Sequence, residues 1–318
     1  MSVKELYNKY CQDNTDIPIF FQSWWLDAVC TNGEWTALIS KDKQGEILAV
    51  WPLYIEKKWG QTLIKMPPMT PYLGPHIKSP DHLTKLNSKY SYTRKVLNDL
   101  IEQLPDFIYF NVLCHPGFEE LLPLKWRGFK QTNEVSYMID DMSNLDEVYN
   151  SFASSARNKI SKAKDRFESE ETKNINALYQ LMNLTFEKQK KKNPFSLELI
   201  QQVCDAIKLN QSTYLINQIS SNSTVIAANF LVLDNNCAYN LLAGANPDYL
   251  KEGVMSLNIW KSIQLASKRV VQFDFEGGQI KPIESFFRSF GGRQVYYSRF
   301  VKTKNFLTDL YLLISGKI

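Results

Sequence analysis

Histidine and cysteine are scarce in this chain, and what there is of them is scattered. The three histidines (His76, His82, His115) never take metal-ligand spacing, and the five cysteines (Cys11, Cys30, Cys114, Cys204, Cys237) include no C-x-x-C pair. Neither a structural metal nor a disulfide framework is therefore expected. Long apolar runs are missing too. Even Val225 to Leu233, which Asn229 interrupts, falls far short of the roughly 18 to 20 residues that span a bilayer. The opening residues, MSVKELYNKYCQDN, are polar and charged where a secretory signal would be apolar, so the expected location is the cytoplasm. There is no G-x-x-x-x-G-K-[ST] loop, no serine, histidine and acid pattern of a hydrolase, and no low-complexity segment. The net charge of +4 is too small to imply nucleic-acid binding by bulk electrostatics.

What remains is ordinary globular material, 44% hydrophobic, 13% aromatic and 22% charged, in 318 residues, a length that suits two domains. Residues 1–142 read as helices near Ser2 to Cys11 and at WWLDAVC, the latter capped by Ser23. Strands follow at EWTALIS, GEILAVWPLYIEKK and QTLIKM, then a proline-rich loop, MPPMTPYLGP. A helix from Leu83 to Leu104, a strand DFIYFNVL, a helical turn at Glu119 to Lys125 and a strand FKQTNEVSYMID complete this half. Residues 143–318 begin with helices at SFASSARNKISKAKDRF, INALYQLMNLTFEKQKKK and LELIQQVCDAIK. Three strands follow (TYLINQIS, TVIAANFLVLD, CAYNLLAGA), then a helix from Gly253 to Lys268 and a strand VVQFDF. A helix starting near Pro282, a strand VYYSRFVKT and a helix FLTDLYLLI close the chain. The element order of the first half recurs in the second without recurrence of residues.

Four stretches carry candidate chemistry. A strand, a polar loop and a helix start at Gly253, Val254, Met255 and Ser256 suit a phosphate site, or a capped helix docked on a sheet. In SSARNKISKAKDRF, Lys159, Lys162 and Arg166 share one side of a helix, to grip phosphates or merely to meet solvent. Tyr72 in MPPMTPYLGP can present a ring and a hydroxyl from a rigid wall, or form part of a crossover. In FDFEGGQIKPIESFFRSFGG, Asp274 and Glu276 end a strand as carboxylates suited to general-base work, while Glu284 and Arg288, four apart, are free to pair with each other.

YLGP at Tyr72, ARNKISKA at Ala156, YNLLAGA with MSLNIWKSIQLASK, FDFEGG and FFRSFGG occur in an order that resembles the FemAB-like branch of the GNAT acyltransferase superfamily. The resemblance implies an α/β (α+β) architecture of two tandem GNAT-like domains, each a mixed, mostly antiparallel sheet flanked by helices, with the donor site in the second. It implies direct transfer of an acyl group from acyl-CoA, a co-substrate, to an amine on a small molecule, sugar or peptide. Its alternatives are aminoacyl-tRNA-dependent transfer to a cell-wall or nucleotide-sugar precursor, or an inactive module in envelope polysaccharide assembly. Carried onto this sequence, it makes Asp274, Glu276 and Arg288 catalytic and places Gly244, Gly253, Val254, Met255 and Ser256 around the donor. Tyr72, Arg157, Asn158, Tyr239 and Phe287 are then the substrate-binding residues. Arg288 stands where the peptidoglycan-bridge enzymes often have lysine; it keeps the charge but shuttles protons poorly. Its loss is expected to cost turnover more than stability.

Overall fold

The computed structural model describes residues 1–14, 16–118, 120 and 122–304. They form two compact units, one made of residues 1–134 with the chain from Tyr296, the other of residues 135–295. The sequence alone places the divide at 142/143 and leaves the chain's end in the second half.

In the first unit, α1 (Val3–Asp13) starts from a reciprocal cap: the Glu5 amide donates to Ser2 Oγ (3.2 Å) and the Ser2 amide to Glu5 Oε2 (2.6 Å). α2 (Ser23–Val29) is not capped by Ser23 as expected. Gln22 takes the cap position, and the Ser23 hydroxyl donates instead to Asn8 Oδ1 (2.7 Å). β1 (Glu34–Lys41), β2 (Ile47–Lys58) and β3 (Gln61–Lys65) form an antiparallel meander, with the two-residue β4 (His76–Ile77) beside β2. The crossover helix α3 (Leu86–Glu102) leads to β5 (Tyr109–Leu113), parallel to β3. A short α4 (Leu122–Trp126) and β6 (Lys130–Ile139) follow. Phe20, Trp25, Trp51 and Phe110 are buried in this unit's core.

The basic helical stretch of the second half is two helices, α5 (Leu145–Ser151) and α6 (Ser154–Lys164), parted where Phe152 turns extended. β7 (Glu168–Thr172), α7 (Ile175–Lys188) and α8 (Leu197–Leu209) precede β8 (Thr213–Ser221), β9 (Thr224–Leu233) and β10 (Cys237–Ala245). The strands β7 to β10 pair antiparallel in sequence order. A 3-10 helix (Pro247–Glu252) and α9 (Val254–Ala266) cross over to β11 (Gln272–Asp274), parallel to β10; α10 (Lys281–Arg288) and β12 (Arg293–Thr303) follow. The expected helix FLTDLYLLI lies outside the described residues.

Both halves thus run meander, crossover helix, parallel strand, helix, strand, which is the architecture expected from the sequence. The closing strands are exchanged. Met138 and Ile139 of β6 pair with Asp274 and Phe273 of β11, whereas Arg299–Thr303 of β12 pair with β5. That exchange is why the units divide at 134/135 and 295/296.

α7 and α9 cover opposite faces of the second sheet. A Cβ on Gly244 of β10 would sit 2.4 Å from the Met182 amide nitrogen of α7, so α7 rests on backbone there. The neighbouring register pair, Ala243 with Asn229, faces the other way, and Asn229 Oδ1 accepts from Asn258 Nδ2 of α9 (2.9 Å).

Candidate active site

β10 and β11 pair only from Cys237 with Gln272 to Tyr239 with Asp274. Beyond that point they part. The Phe275 amide donates to the Tyr137 carbonyl of β6 (3.0 Å), drawing the chain after Asp274 away from β10. β10 continues to Ala245 paired with β9 alone, through a register shift between Asn240 and Leu242. A wedge therefore opens between the second half of β10 and the turn FEGG. One edge of β10 in it lacks a strand partner among the described residues. At its end the Ala245 amide donates to Thr185 Oγ1 of α7 (3.1 Å), and the stretch before Ala245 is left to offer main-chain groups to a ligand. Asn240, directly after the last paired residue, is buried, and its Oδ1 has no hydrogen-bond partner among the described residues.

Across the wedge stand the two acids. Asp274 is fully buried, and its Oδ1 accepts from Ser136 Oγ (2.5 Å) and from the Glu276 amide (2.8 Å); Ser136 Oγ in turn accepts from the Gly277 amide (3.2 Å). Glu276 adopts a left-handed backbone (φ 51°), unusual for a residue with a Cβ. The residue as a whole is half-buried, but Oε1 is shut off from solvent and has no partner among the described residues. Burial first, and then the neighbouring Asp274 carboxylate, push the Glu276 carboxyl well above the usual carboxylate range. Burial first, and then Asp274, Asp234 and Glu276, raise the Cys237 thiol. Glu276 is thus a carboxyl inclined to hold a proton, buried next to a second acid.

Arg288 is not part of that group. Successive residues of a strand point to opposite faces. Ser136 serves Asp274 on one face; the next residue, Tyr137, turns to the other and donates its hydroxyl to Glu284 Oε1 (2.5 Å). Arg288 Nε donates to the same oxygen (2.8 Å), with most of the guanidinium in solvent. Arg288 and then Tyr137 hold the Glu284 carboxyl below its ordinary value, while burial and Glu284 raise the Tyr137 phenol. Phe287, half-buried, packs against Phe275, with ring centroids 5.2 Å apart, and against the Gly277 backbone, so its ring leans on the core.

The expected donor residues are also differently occupied. Gly253 takes a left-handed turn (φ 83°) between the 3-10 helix and α9, and a Cβ there would meet the Lys159 carbonyl of α6 at 2.7 Å. Gly253, Val254 and Ser256 are buried and Met255 is half-buried, so this helix start is covered by α6 rather than open to a phosphate. Gly244 is the seat of α7. Tyr239 donates its hydroxyl to Asp234 Oδ2 (2.8 Å) across the β9–β10 turn, and its ring is buried. Tyr72, in the first unit, is buried among Phe20, His115 and Tyr297, at centroid distances of 5.2, 4.7 and 5.9 Å. It presents no surface to a ligand. Of α6, Asn158 is exposed and Arg157 half-buried. Arg157, Lys159, Lys162 and Lys164 have no carboxylate partner among the described residues, whereas Arg166 pairs with Glu252.

Ser136 and Asn240 are members of the site that sequence reasoning missed. Asn240 had a signal, a polar residue at a buried position of an apolar strand. Ser136 had none, since its partner is 138 residues away. α9 itself is pinned by buried amides: Ser169 Oγ donates to Asn217 Oδ1 (2.9 Å), and Asn217 Nδ2 to Asn258 Oδ1 (2.6 Å). Among the described residues no three or more His, Cys, Asp and Glu side chains gather as a metal site, and no helix is long and apolar enough to cross a membrane.

Residues 151–282, which hold the wedge and both acids, match the sequence model of the family described as "Acetyltransferase (GNAT) domain". No curated protein is significantly similar in sequence. Among solved structures, FemX superposes with a TM-score of 0.70 at 13% identity, over 99% of this chain and 98% of that one. L-PGS from Bacillus licheniformis gives 0.54 at 11% identity, over 99% and 96% of the two chains. A tandem GNAT protein from the clavulanic acid biosynthesis pathway gives 0.54 at 6% identity, over 89% and 94%. At such identities these likenesses speak for the fold.

Proposed function

We propose that the chain is a FemAB-like GNAT acyltransferase that lays the reactive arm of an acyl donor in the wedge between β10 and β11 and passes the acyl group directly to an amine. The GNAT match of residues 151–282 and the fold shared with FemX and the tandem GNAT protein support this reading. The observation that carries this reading is the parting of the two strands after Tyr239 and Asp274, with the buried Glu276 carboxyl at its lip. The free edge of β10 supplies amide donors for the oxyanion of the tetrahedral intermediate. Asn240 Oδ1 accepts an N–H of the donor's arm. Glu276, once ionised, takes the proton that the attacking amine must lose, and its raised pKa makes it a stronger base for that step than an exposed carboxylate. The intermediate then collapses, the donor's carbonyl bond to sulfur or ester oxygen breaks, and the thiol or hydroxyl leaves with the proton that Glu276 gives up. Asp274 is a positioning residue: it holds the Glu276 amide, and its charge lifts the Glu276 pKa. Most of the rate then comes from alignment of the two substrates.

Acyl-CoA is the first reading of the donor, with an amine-bearing small molecule, sugar or peptide as acceptor and the cytoplasm as the site of action. Two observations favour a second reading, an aminoacyl-tRNA. The start of α9 is covered where a pyrophosphate would need open amides. Around it, Arg157, Lys159 and Lys162 of α6, Lys251 of the 3-10 helix and Lys188 at the end of α7 have no carboxylate partner among the described residues, an arrangement suited to a polyanion. Thermal shift separates the two. Acetyl-CoA or a longer acyl-CoA should raise the melting temperature if the first reading holds. A shift with charged tRNA and none with any acyl-CoA overturns it in favour of the second.

A further inference from the structure

The first unit carries a patch of large apolar side chains in solvent. On α3, Leu86 is 69% exposed and Tyr90, one turn on, 43%; on α4, Trp126 is 65% and Leu122, four residues before it, 38%. These are one strip, because Arg94 joins them. Its guanidinium lies 6.0 Å from the Tyr90 ring centre and 5.6 Å from that of Trp126, and its Nε donates to the buried Glu120 (3.0 Å). The arginine thus braces both rings from behind while their outer faces stay bare. Contiguous exposed apolar surface of this kind marks a docking site.

The charge around the strip says what docks. From His82 to Asn98 the chain has four cations, Lys85, Lys89, Arg94 and Lys95, and no acid. Lys85, Lys89 and Lys95, with Lys125 beside Trp126, have no carboxylate partner among the described residues. An aliphatic and aromatic strip rimmed by free lysines complements a surface that is negative at the top and apolar just below. An RNA would stack on the rings but gain nothing from Leu86 and Leu122. We propose that this face of α3 and α4 seats the protein on an anionic phospholipid bilayer, Leu86, Tyr90, Leu122 and Trp126 entering the headgroup layer and the lysines meeting lipid phosphates. The surface belongs to the first unit and stands whichever donor the second unit uses.

Co-sedimentation of the full chain with vesicles tests it. Binding is expected to phosphatidylglycerol/phosphatidylcholine vesicles, to weaken with salt, and to be slight with phosphatidylcholine alone. Leu86→Ser with Trp126→Ser should lower the partition about tenfold or more, and Lys85→Glu with Lys89→Glu should do the same, both with unchanged melting temperature because these side chains lie in solvent. The proposal fails if the wild-type chain ignores anionic vesicles, or if the variants bind as well as it does. It also fails if the same substitutions abolish tRNA binding or break a dimer while leaving vesicle binding intact.

Discussion

Glu276 and Glu284 stand eight residues apart, on either side of one turn, and they titrate in opposite directions. Glu284 shares one oxygen between the Tyr137 hydroxyl and Arg288 at the protein's surface, and its carboxyl is held low. Glu276 Oε1 is buried without a partner among the described residues, next to a second acid, and its carboxyl is driven up. One residue type on one short segment thus yields a satisfied ion pair and a strained proton acceptor. The difference lies in what β6 offers on its two faces: Tyr137 gives Glu284 a donor, whereas Ser136 spends its proton on Asp274 and leaves Glu276 with none. A buried group left unsatisfied costs stability, and such groups concentrate where chemistry is done.

The contrast can be broken most sharply by activity. Glu276→Gln should lower turnover about 10²- to 10⁴-fold with the donor's binding little changed, while Glu284→Gln costs less than about tenfold. Equal losses in steady-state transfer would dissolve the distinction. Next in size is Ser136→Ala, which strips Asp274 of one donor and the Gly277 amide of its acceptor. Urea titration should show a loss of about 1–3 kcal/mol.

The pH dependence sharpens the comparison further. A carboxyl whose pKa is raised by folding lends stability that is full below its unfolded pKa and is lost as pH rises through the folded value. Glu276→Gln should therefore gain on the wild type as pH climbs out of the acid range. Glu284 has the opposite sign: its contribution is present above the unfolded pKa and disappears as pH falls through the folded one, so Glu284→Gln should hurt most near neutrality. The transfer rate should rise with pH as Glu276 ionises, and Glu276→Gln should flatten that limb. The smallest effect is expected from Arg288→Ala. An ion pair so open to water contributes little to stability, and the arginine serves the face that Asp274 does not. A tenfold fall in turnover at constant melting temperature would return Arg288 to the site.

Most of the fold was legible because its strands alternate or run apolar and its helices repeat at 3.6 residues. β7 escaped because ESEET is wholly polar, an edge strand held by β8 through backbone pairing that leaves no hydrophobic trace. The strand exchange escaped for another reason. Nothing in FKQTNEVSYMID says that its end will pair with Phe273 and Asp274, because pairing partners are chosen by topology. At the site, the acids and the turn in FDFEGG were visible as local chemistry. Their environments were not, and these decide function. The resemblance made Arg288 catalytic, and spacing could not show that β6 would set it on the face opposite Asp274. Gly244 and Gly253 looked like ligand contacts, yet the close approach each permits is to α7 and α6.

The five cysteines have a use beyond the absence of crosslinks. All are free and buried, with thiols pushed up by burial to about 11 or 12 at Cys11, Cys30, Cys114 and Cys204, and higher at Cys237. A thiol reagent can reach them only when the surrounding structure opens. Three sit in the first unit and two in the second. Alkylation followed by peptide mass spectrometry therefore turns the chain into two built-in clocks, one for the opening of each unit. Whether a donor slows the second clock without touching the first can be read from the unaltered protein.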